Sequence, residues 1–322
     1  MNEIPSWVVP LTLPMPSMLG AVNIYLIKGP AGFGLIDTGM NDLASRKALH
    51  SCLAEVDVRL EQIETVIVTH GHADHCGLGK TFIDAGAKVL MSEYDAATID
   101  VLFSHPQRDE QRATFFGRHS VPKEFEVRVT RMFPFFRKLQ EKFTPSDLFK
   151  DGDVVNLGGI DLTVMLTPGH TPGHVCFVNR ETGVVFTGDH IISEDATHVS
   201  MQSEIRGSDP LGGFVKSLKK VGDLGKFTGL PGHGKPIWDI SVRADQLVRH
   251  HRARIDRVKR SLDDTPQTAY DLSLKVFGDR KKVFAKWLAM SQILAYLEHL
   301  CVIGEAEEVN GKDGVEFKSC SF

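Results

Sequence analysis

The chain has 322 residues, of which 42% are hydrophobic and 24% charged, and a formal net charge of −4. That is enough apolar material for one large domain with a smaller unit beside it, and it excludes a disordered chain. A slightly acidic protein has no global attraction to nucleic acid or anionic membrane, no apolar run is long enough to span a bilayer, and no basic-then-apolar opening marks a signal peptide.

Cys52, Cys76, Cys176, Cys301 and Cys320 form no CxxC pair. Their odd number and wide spacing predict reduced thiols and a cytoplasmic setting.

In chain order, residues 19–28 read as a strand, 29–32 as turn material and 33–36 as a second strand. This hairpin ends in Asp37-Thr38-Gly39. A helix is expected over 43–56, capped by Asn41 or Asp42. Asp37 is either a turn residue at a strand end or, beside a metal cluster, the acceptor that holds a ligand histidine in one tautomer. The second reading is the one adopted.

Residues 64–69 are a β-branched run, expected as a buried strand. Directly after it come His70, His72, Asp74 and His75, four potential ligands within six positions. The stretch 77–85 reads as a helix, so these residues sit on a strand-to-helix turn where side chains can converge. Imidazole and carboxylate together suit zinc, iron or manganese. A histidine-rich surface loop is the bland alternative for this motif taken alone.

A strand at 88–91 and a helix at 94–102 follow. Residues 104–147 then turn rich in Phe, Arg and Lys, with Phe115, Phe116, Phe133, Phe135, Phe136 and Phe143. They read either as a helical insertion with its own small core or as a lid that offers an apolar wall to a substrate. Strands resume over 153–166. Thr167-Pro168-Gly169-His170-Thr171-Pro172-Gly173-His174 is a rigid loop able to present one imidazole inward. Short strands at 175–178 and 184–186 lead to Thr187-Gly188-Asp189-His190, and Pro231-Gly232-His233-Gly234 closes the series.

Asp37, the HxHxDH run at 70–75, His170, Asp189 and His233 match, in order, five motifs of the metallo-beta-lactamase superfamily, and over residues 20–235 the chain resembles that family. The resemblance implies an α/β fold: an αββα sandwich of two mixed sheets with helices outside and the metal loops along one edge. It also implies roles. His70, His72 and His170 would bind a first metal ion and Asp74, His75 and His233 a second, with Asp189 bridging. Asp37 and His174 would support the ligands from behind. Two zinc ions are expected, with iron or manganese as alternatives. A water between two dications would ionise near neutral pH, and Asp74 and Asp189 would be the catalytic carboxylates. His190 is expected to be structural, and His198 is a weak candidate for a general acid.

Departures from the family pattern narrow the branch. His72 is not the glutamate of flavodiiron proteins. Asp189 stands where true metallo-beta-lactamases commonly carry Cys or Ser. The 43 residues between Asp189 and His233 leave no room for the large inserted domain of the RNA-processing branch.

After His233, residues 243–262 have a helical period in which Leu247, His251, Ile255, Val258 and Leu262 share a face. The same stretch carries Arg249, Arg252, Arg254, Arg257, Lys259 and Arg260. Helices at 269–276 and 282–300 and a hairpin from 302–309 and 315–318 follow. Three helices and a hairpin resemble the winged-helix tail of one superfamily branch, which holds an animal mitochondrial endoribonuclease and fungal thioesterases. The glutathione-binding signature of glyoxalase II is absent. The expected partition is therefore 1–239 for the catalytic domain, with the insertion 104–147, and 240–322 for the tail.

These features predict a dinuclear hydrolase acting on an ester or thioester, with the acyl group under the 104–147 segment. A metal-dependent phosphodiesterase or endoribonuclease on single-stranded RNA is the alternative, with the basic helix as phosphate track. No aromatic residues interleave with its arginines, which weakens that case. An iron-dependent oxygenase is the non-hydrolytic option. No membrane partner is expected, and the oligomeric state stays open, a homodimer included.

Overall fold

Two sheets carry the fold, in a computed structural model that describes residues 3–16, 20–103, 105–194, 196–201 and 208–320. Leu19 and Ser104, expected to open a strand and the insertion, lie outside the described residues. The first sheet is built from β1 (Val8–Pro14), β2 (Ala21–Gly29), β3 (Gly32–Ile36), β4 (Ile63–Ile67), β5 (Lys88–Ser92) and β6 (Asp147–Phe149), adjacent in that order. The pairs from β1 to β3 are antiparallel and those from β3 to β6 parallel. Strand β1 was not anticipated, because Pro10 and Pro14 break a strand pattern. It pairs only with β2, at the sheet edge, where a missing N–H is tolerated.

The second sheet runs in the order β11 (Thr228–Pro231), β10 (Val184–Gly188), β9 (Val175–Asn179), β8 (Ile160–Leu166) and β7 (Val154–Leu157). Only β10 and β11 are parallel. Leu26, Val66 and Val89 of the first sheet share one buried cluster with Leu157, Leu162, Val164 and Phe177 of the second. Each is at most 1% exposed, and each such burial is worth roughly 1.5–3 kcal/mol. The parallel strands β3, β4, β10 and β11 all lead into the motif-bearing loops.

Helix α1 (Leu43–Glu55) starts at Asp42, whose carboxylate accepts the N–H groups of Ala44 and Ser45 at 2.8 and 3.1 Å. The helix expected over 77–85 is α3 (Gly79–Asp84), and a separate single turn that went unread, α2 (Ala73–Cys76), precedes it. Helix α4 (Glu93–Phe103) follows β5, and the insertion then forms α5 (His105–Arg118), α6 (Lys123–Thr130) and α7 (Phe133–Lys138). Helix α8 (Pro210–Gly222) went unread, since Gly212 and Gly213 lower its propensity. Asp209 caps it at Gly212 N–H, 2.7 Å away, and its buried face holds Leu211, Phe214, Leu218 and Val221.

The tail consists of α9 (Ile240–Lys259), α10 (Ala269–Phe277) and α11 (Val283–Val302), then the hairpin of β13 (Ala306–Asn310) and β14 (Val315–Ser319). The order is the one read from the sequence, with one addition: β12 (Gln267–Thr268) pairs with β14 and makes a third strand.

The insertion has no separate core. Phe116, Phe125 and Val129 belong to the cluster that also holds Leu247 and Val258 of α9, Ile293 and Leu297 of α11, and α8. Trp287 of α11 sits among Phe115, Phe116 and Phe133 at ring separations of 5.7, 5.5 and 6.3 Å. Arg118 pairs with Glu308 of β13 at 2.8 Å. At its other end the insertion is tied to the histidine-rich turn. Leu139 C=O accepts Asn41 N–H at 2.8 Å, and Glu141 N–H donates to Gly77 C=O at 2.9 Å.

Candidate metal centre

Every sequence-predicted ligand arrives at one place. His70, His72, His170 and Asp189 bring ligand atoms within 4.8 Å of one another, and so do Asp74, His75 and His233. The two groups meet at Asp189. Its Oδ2 lies 3.5 Å from His170 Nε2, while its Oδ1 lies 3.2 Å from His75 Nε2 and 3.3 Å from His233 Nε2. Asp74 Oδ2 lies 3.3 Å from His233 Nε2 and 3.6 Å from His75 Nε2.

The far side of each imidazole explains which nitrogen points inward. His75 Nδ1–H donates to Asp37 Oδ2 at 2.7 Å, His170 Nδ1–H to the His198 carbonyl at 2.7 Å and His233 Nδ1–H to the Ala21 carbonyl at 2.7 Å. The Thr69 hydroxyl donates to Asp37 and so accepts His70 Nδ1–H at 3.1 Å. With Nδ1–H engaged behind, all four rings turn Nε2 to the centre, the atom each would offer to a metal ion.

That arrangement tests the fit of a cation. His70 Nε2 and His170 Nε2 both lie 3.0 Å from His72 Nδ1. With at most one proton among the three nitrogens the two contacts cannot both be full hydrogen bonds, and lone pairs are left facing each other until a positive ion sits between them. In the second group His75 Nε2 and Asp189 Oδ1 are buried and make no hydrogen bond. Both groups thus fit divalent metal ions held by nitrogen and carboxylate oxygen.

The electrostatics differ between the groups. Burial, with neighbouring imidazoles, holds His70 well below the usual histidine range. Burial also disfavours charge on His75 and His233, but the Asp189 and Asp74 carboxylates outweigh it. His75 is pushed well above its usual range and His233 up to about 10. Asp74, although half-buried, is pulled down to about 2 by His75 and His233.

Several supports were legible and others were not. Asp37, at φ +63°, lies where expected beneath His75 and also accepts Thr69 N–H at 2.8 Å. His174 sits between loops, with Nδ1 2.8 Å from the Thr167 hydroxyl and Nε2 accepting Asp189 N–H at 3.2 Å. His190 is fully buried away from the ligand set, its ring 4.8 Å from Phe214. His198 contributes its carbonyl to His170, and its Nε2 faces the Ser291 hydroxyl of α11 at 3.3 Å. The role of β2 was missed. Tyr25 donates to the Pro231 carbonyl at 2.7 Å, and Asn23 Nδ2 to the Pro231 and Gly234 carbonyls at 3.1 and 2.9 Å, which pins the His233 loop. The signal was available: Asn23 is a polar residue within an apolar strand. Gly232 is required by contact, because a Cβ there would lie 2.6 Å from His75 Cε1 and 2.8 Å from Asp189 Oδ1.

Comparison with known proteins places this geometry. The family model described as the metallo-beta-lactamase superfamily matches residues 18–233. A probable metallo-hydrolase of Bacillus subtilis is 28% identical, over 94% of this chain and 93% of its own length. An atrochrysone carboxyl ACP thioesterase of Aspergillus fumigatus is 26% identical, over 82% of this chain and 71% of its own. Among solved structures, a metallo-beta-lactamase family protein of Thermus thermophilus superposes with a TM-score of 0.87 at 30% identity, covering 98% of this chain and 99% of the other.

Proposed function

The chain belongs to the metallo-beta-lactamase superfamily and is a metal-dependent hydrolase, and we propose that it cleaves acyl thioesters at a dinuclear, zinc-loaded centre. The observation that carries this reading is the divided carboxylate of Asp189, one oxygen turned to each histidine group. His70, His72, His170 and Asp189 would hold the first ion, and Asp74, His75, His233 and Asp189 the second. Bound there, the ions would polarise the substrate carbonyl and ionise a water near neutral pH.

The protein's own part is orientation and proton handling. Asp74, half-buried beside the exposed His72, is the proposed acceptor of a proton from the attacking water at a carboxylate oxygen. Water attacks the thioester carbonyl, the C–S bond breaks, and the products are a carboxylic acid and a thiol. A thiolate, with a thiol pKa of about 8.5, leaves without a general acid. That suits a site where His198, the imidazole considered as a general acid, is engaged with Ser291. The Aspergillus fumigatus relative, described as an ACP thioesterase, favours the same bond type. The insertion 104–147 is the proposed wall for the acyl chain, because it is anchored beside the histidine-rich turn and brings Phe115 and Phe133 against Trp287. Residues 240–322 are proposed to form a winged-helix-like tail. Among the described residues no helix is long and apolar enough to cross a membrane, and five free cysteines fit a cytoplasmic setting.

The test is thiol release from acyl-CoA and glutathione thioesters of graded chain length, with zinc-loaded protein and His70→Ala as blank. Metal-dependent release that favours longer chains is expected. No release above the blank overturns the thioester reading, and single-stranded RNA becomes the next substrate.

A further inference from the structure

Asp95 lies in the first turn of α4, three residues beyond the end of β5, and is fully buried. Its carboxylate faces two loops at once. Oδ2 accepts the backbone N–H of Gly71 at 2.8 Å and the hydroxyl of Thr171 at 2.7 Å. Oδ1 accepts the backbone N–H of Gly173 at 2.8 Å. Gly71 separates His70 from His72, while Thr171 follows His170 and Gly173 precedes His174. One carboxylate therefore joins the loop that carries two proposed ligands to the loop that carries the third. The contact depends on Gly173: a Cβ there would lie 2.2 Å from Ser92 Oγ and 2.7 Å from Asp95 Oδ1. Asp37 takes no part in this junction. Its partners are Thr69 and His75.

We propose that Asp95 is a positioning residue for the first metal group, which clamps the His70–His72 loop to the His170 loop and so sets the convergence of their three imidazoles. The inference rests on the two groups being metal sites. Its content is a division of labour: Asp95 joins the two loops of the first group, while Asp37 and strand β2 hold the second, and Asp37 reaches the first only through Thr69 and the ring orientation of His70. The physical reason is that His72 Nδ1 lies 3.0 Å from both His70 Nε2 and His170 Nε2 and a neutral His72 can donate at most one proton to them, so lone pairs face each other when no cation is present and the loops spread unless something outside the ligand set holds them. A buried carboxylate bonded to three donors can do this, and misplacing ligands by even half an ångström weakens metal binding.

Asp95→Asn keeps the shape and removes the charge. With its carbonyl oxygen in the place of Oδ2 it still accepts from Gly71 and Thr171, but its NH2 group then faces the N–H of Gly173, two donors in contact, which pushes the His170 loop away. Thr171→Val deletes one of the three bonds. Gly173→Ala pushes its loop off the carboxylate. The experiment titrates metal-free wild type and the variants with Co(II), following visible absorption bands and counting ions by competition with a chromophoric chelator.

Wild type is expected to take two ions. Asp95→Asn and Gly173→Ala should keep one site at wild-type affinity and weaken the other by roughly 10–100-fold. Thr171→Val should fall between them and wild type, and it carries the test if Asp95→Asn does not fold. A purely structural role for Asp95 would weaken both ions together, so parallel loss at both sites overturns the proposal. Two ions bound by Asp95→Asn with wild-type affinity overturn it as well, and leave the metal reading standing. A wild type that takes no ion sinks the metal reading and this inference together.

Discussion

Asp37 Oδ2 lies 2.7 Å from His75 Nδ1, and the same carboxylate accepts both the N–H and the hydroxyl of Thr69. Through Thr69 it also fixes His70. One residue, held at φ +63° in a conformation aspartate tolerates better than most, thus sets the tautomers of a histidine in each group. Asp37→Asn preserves shape but offers an NH2 donor to His75 Nδ1–H. The imidazole must then move its proton to Nε2, the atom needed for a metal. Affinity for the second ion is expected to fall roughly 10–100-fold with the far-ultraviolet circular dichroism unchanged. Competition with a chelator measures it, and an unaltered second-site affinity refutes the tautomer argument.

The two groups should respond differently to pH. In the metal-free protein His75 and His233 stay protonated at pH 7, since Asp189 and Asp74 push His233 up to about 10 and His75 well above its usual range. A metal ion must displace both protons. Binding that releases protons strengthens as pH rises, so affinity for the second ion should climb by up to about 100-fold per pH unit near neutrality. The first group starts neutral at His70, which is held well below the usual range by burial. Its affinity should change far less. Metal counting at pH 6 and pH 8 should find one tight ion at the lower pH and two at the higher. Equal pH dependence at both sites would contradict the charge assignment.

The convergence of the candidate ligands was legible because they lie in short motifs at strand ends, where a histidine or aspartate next to a β-branched run has few structural uses. The supports were less legible. Asn23 and Tyr25 act on a loop more than 200 residues away, and Asp95 reaches Gly173 across 78 positions. No local periodicity encodes such contacts. Strand β1 was hidden by its prolines and α8 by its glycines, since both are stabilised by tertiary context rather than propensity. The insertion was read as two alternatives because its apolar residues find their partners in α11, far along the chain.

His119 marks a place where the fold forgoes stability. It is 1% exposed, its ring lies tilted against Phe115 at 4.8 Å, and neither ring nitrogen has a hydrogen-bond partner among the described residues. Burial, with Arg118 nearby, pushes its pKa down to about 4. Between about pH 4 and 6.5 the unfolded chain binds a proton there and the folded one does not, so this position costs stability as pH falls below 6.5. His119→Leu should stabilise the protein by about 1–3 kcal/mol at pH 7, and by about 2 kcal/mol more at pH 5. Urea midpoints of both proteins at the two pH values decide it. A destabilised variant would mean that the imidazole has a partner.

Asp189→Ala separates folding from metal chemistry. The loop around this residue is held by main-chain groups, with Asp189 N–H bonded to His174 Nε2 at 3.2 Å and its carbonyl accepting the Thr197 hydroxyl at 2.6 Å. Truncating the side chain leaves both bonds in place, so the fold should survive. The second group loses the carboxylate that counters two imidazoles, and the first loses the one carboxylate proposed to ligate its ion. Second-ion affinity should drop at least ~100-fold, and turnover should be nearly abolished. If thiol release persists near the wild-type rate with one ion bound, catalysis does not need the shared carboxylate, and the dinuclear proposal gives way to a mononuclear one at His70, His72 and His170.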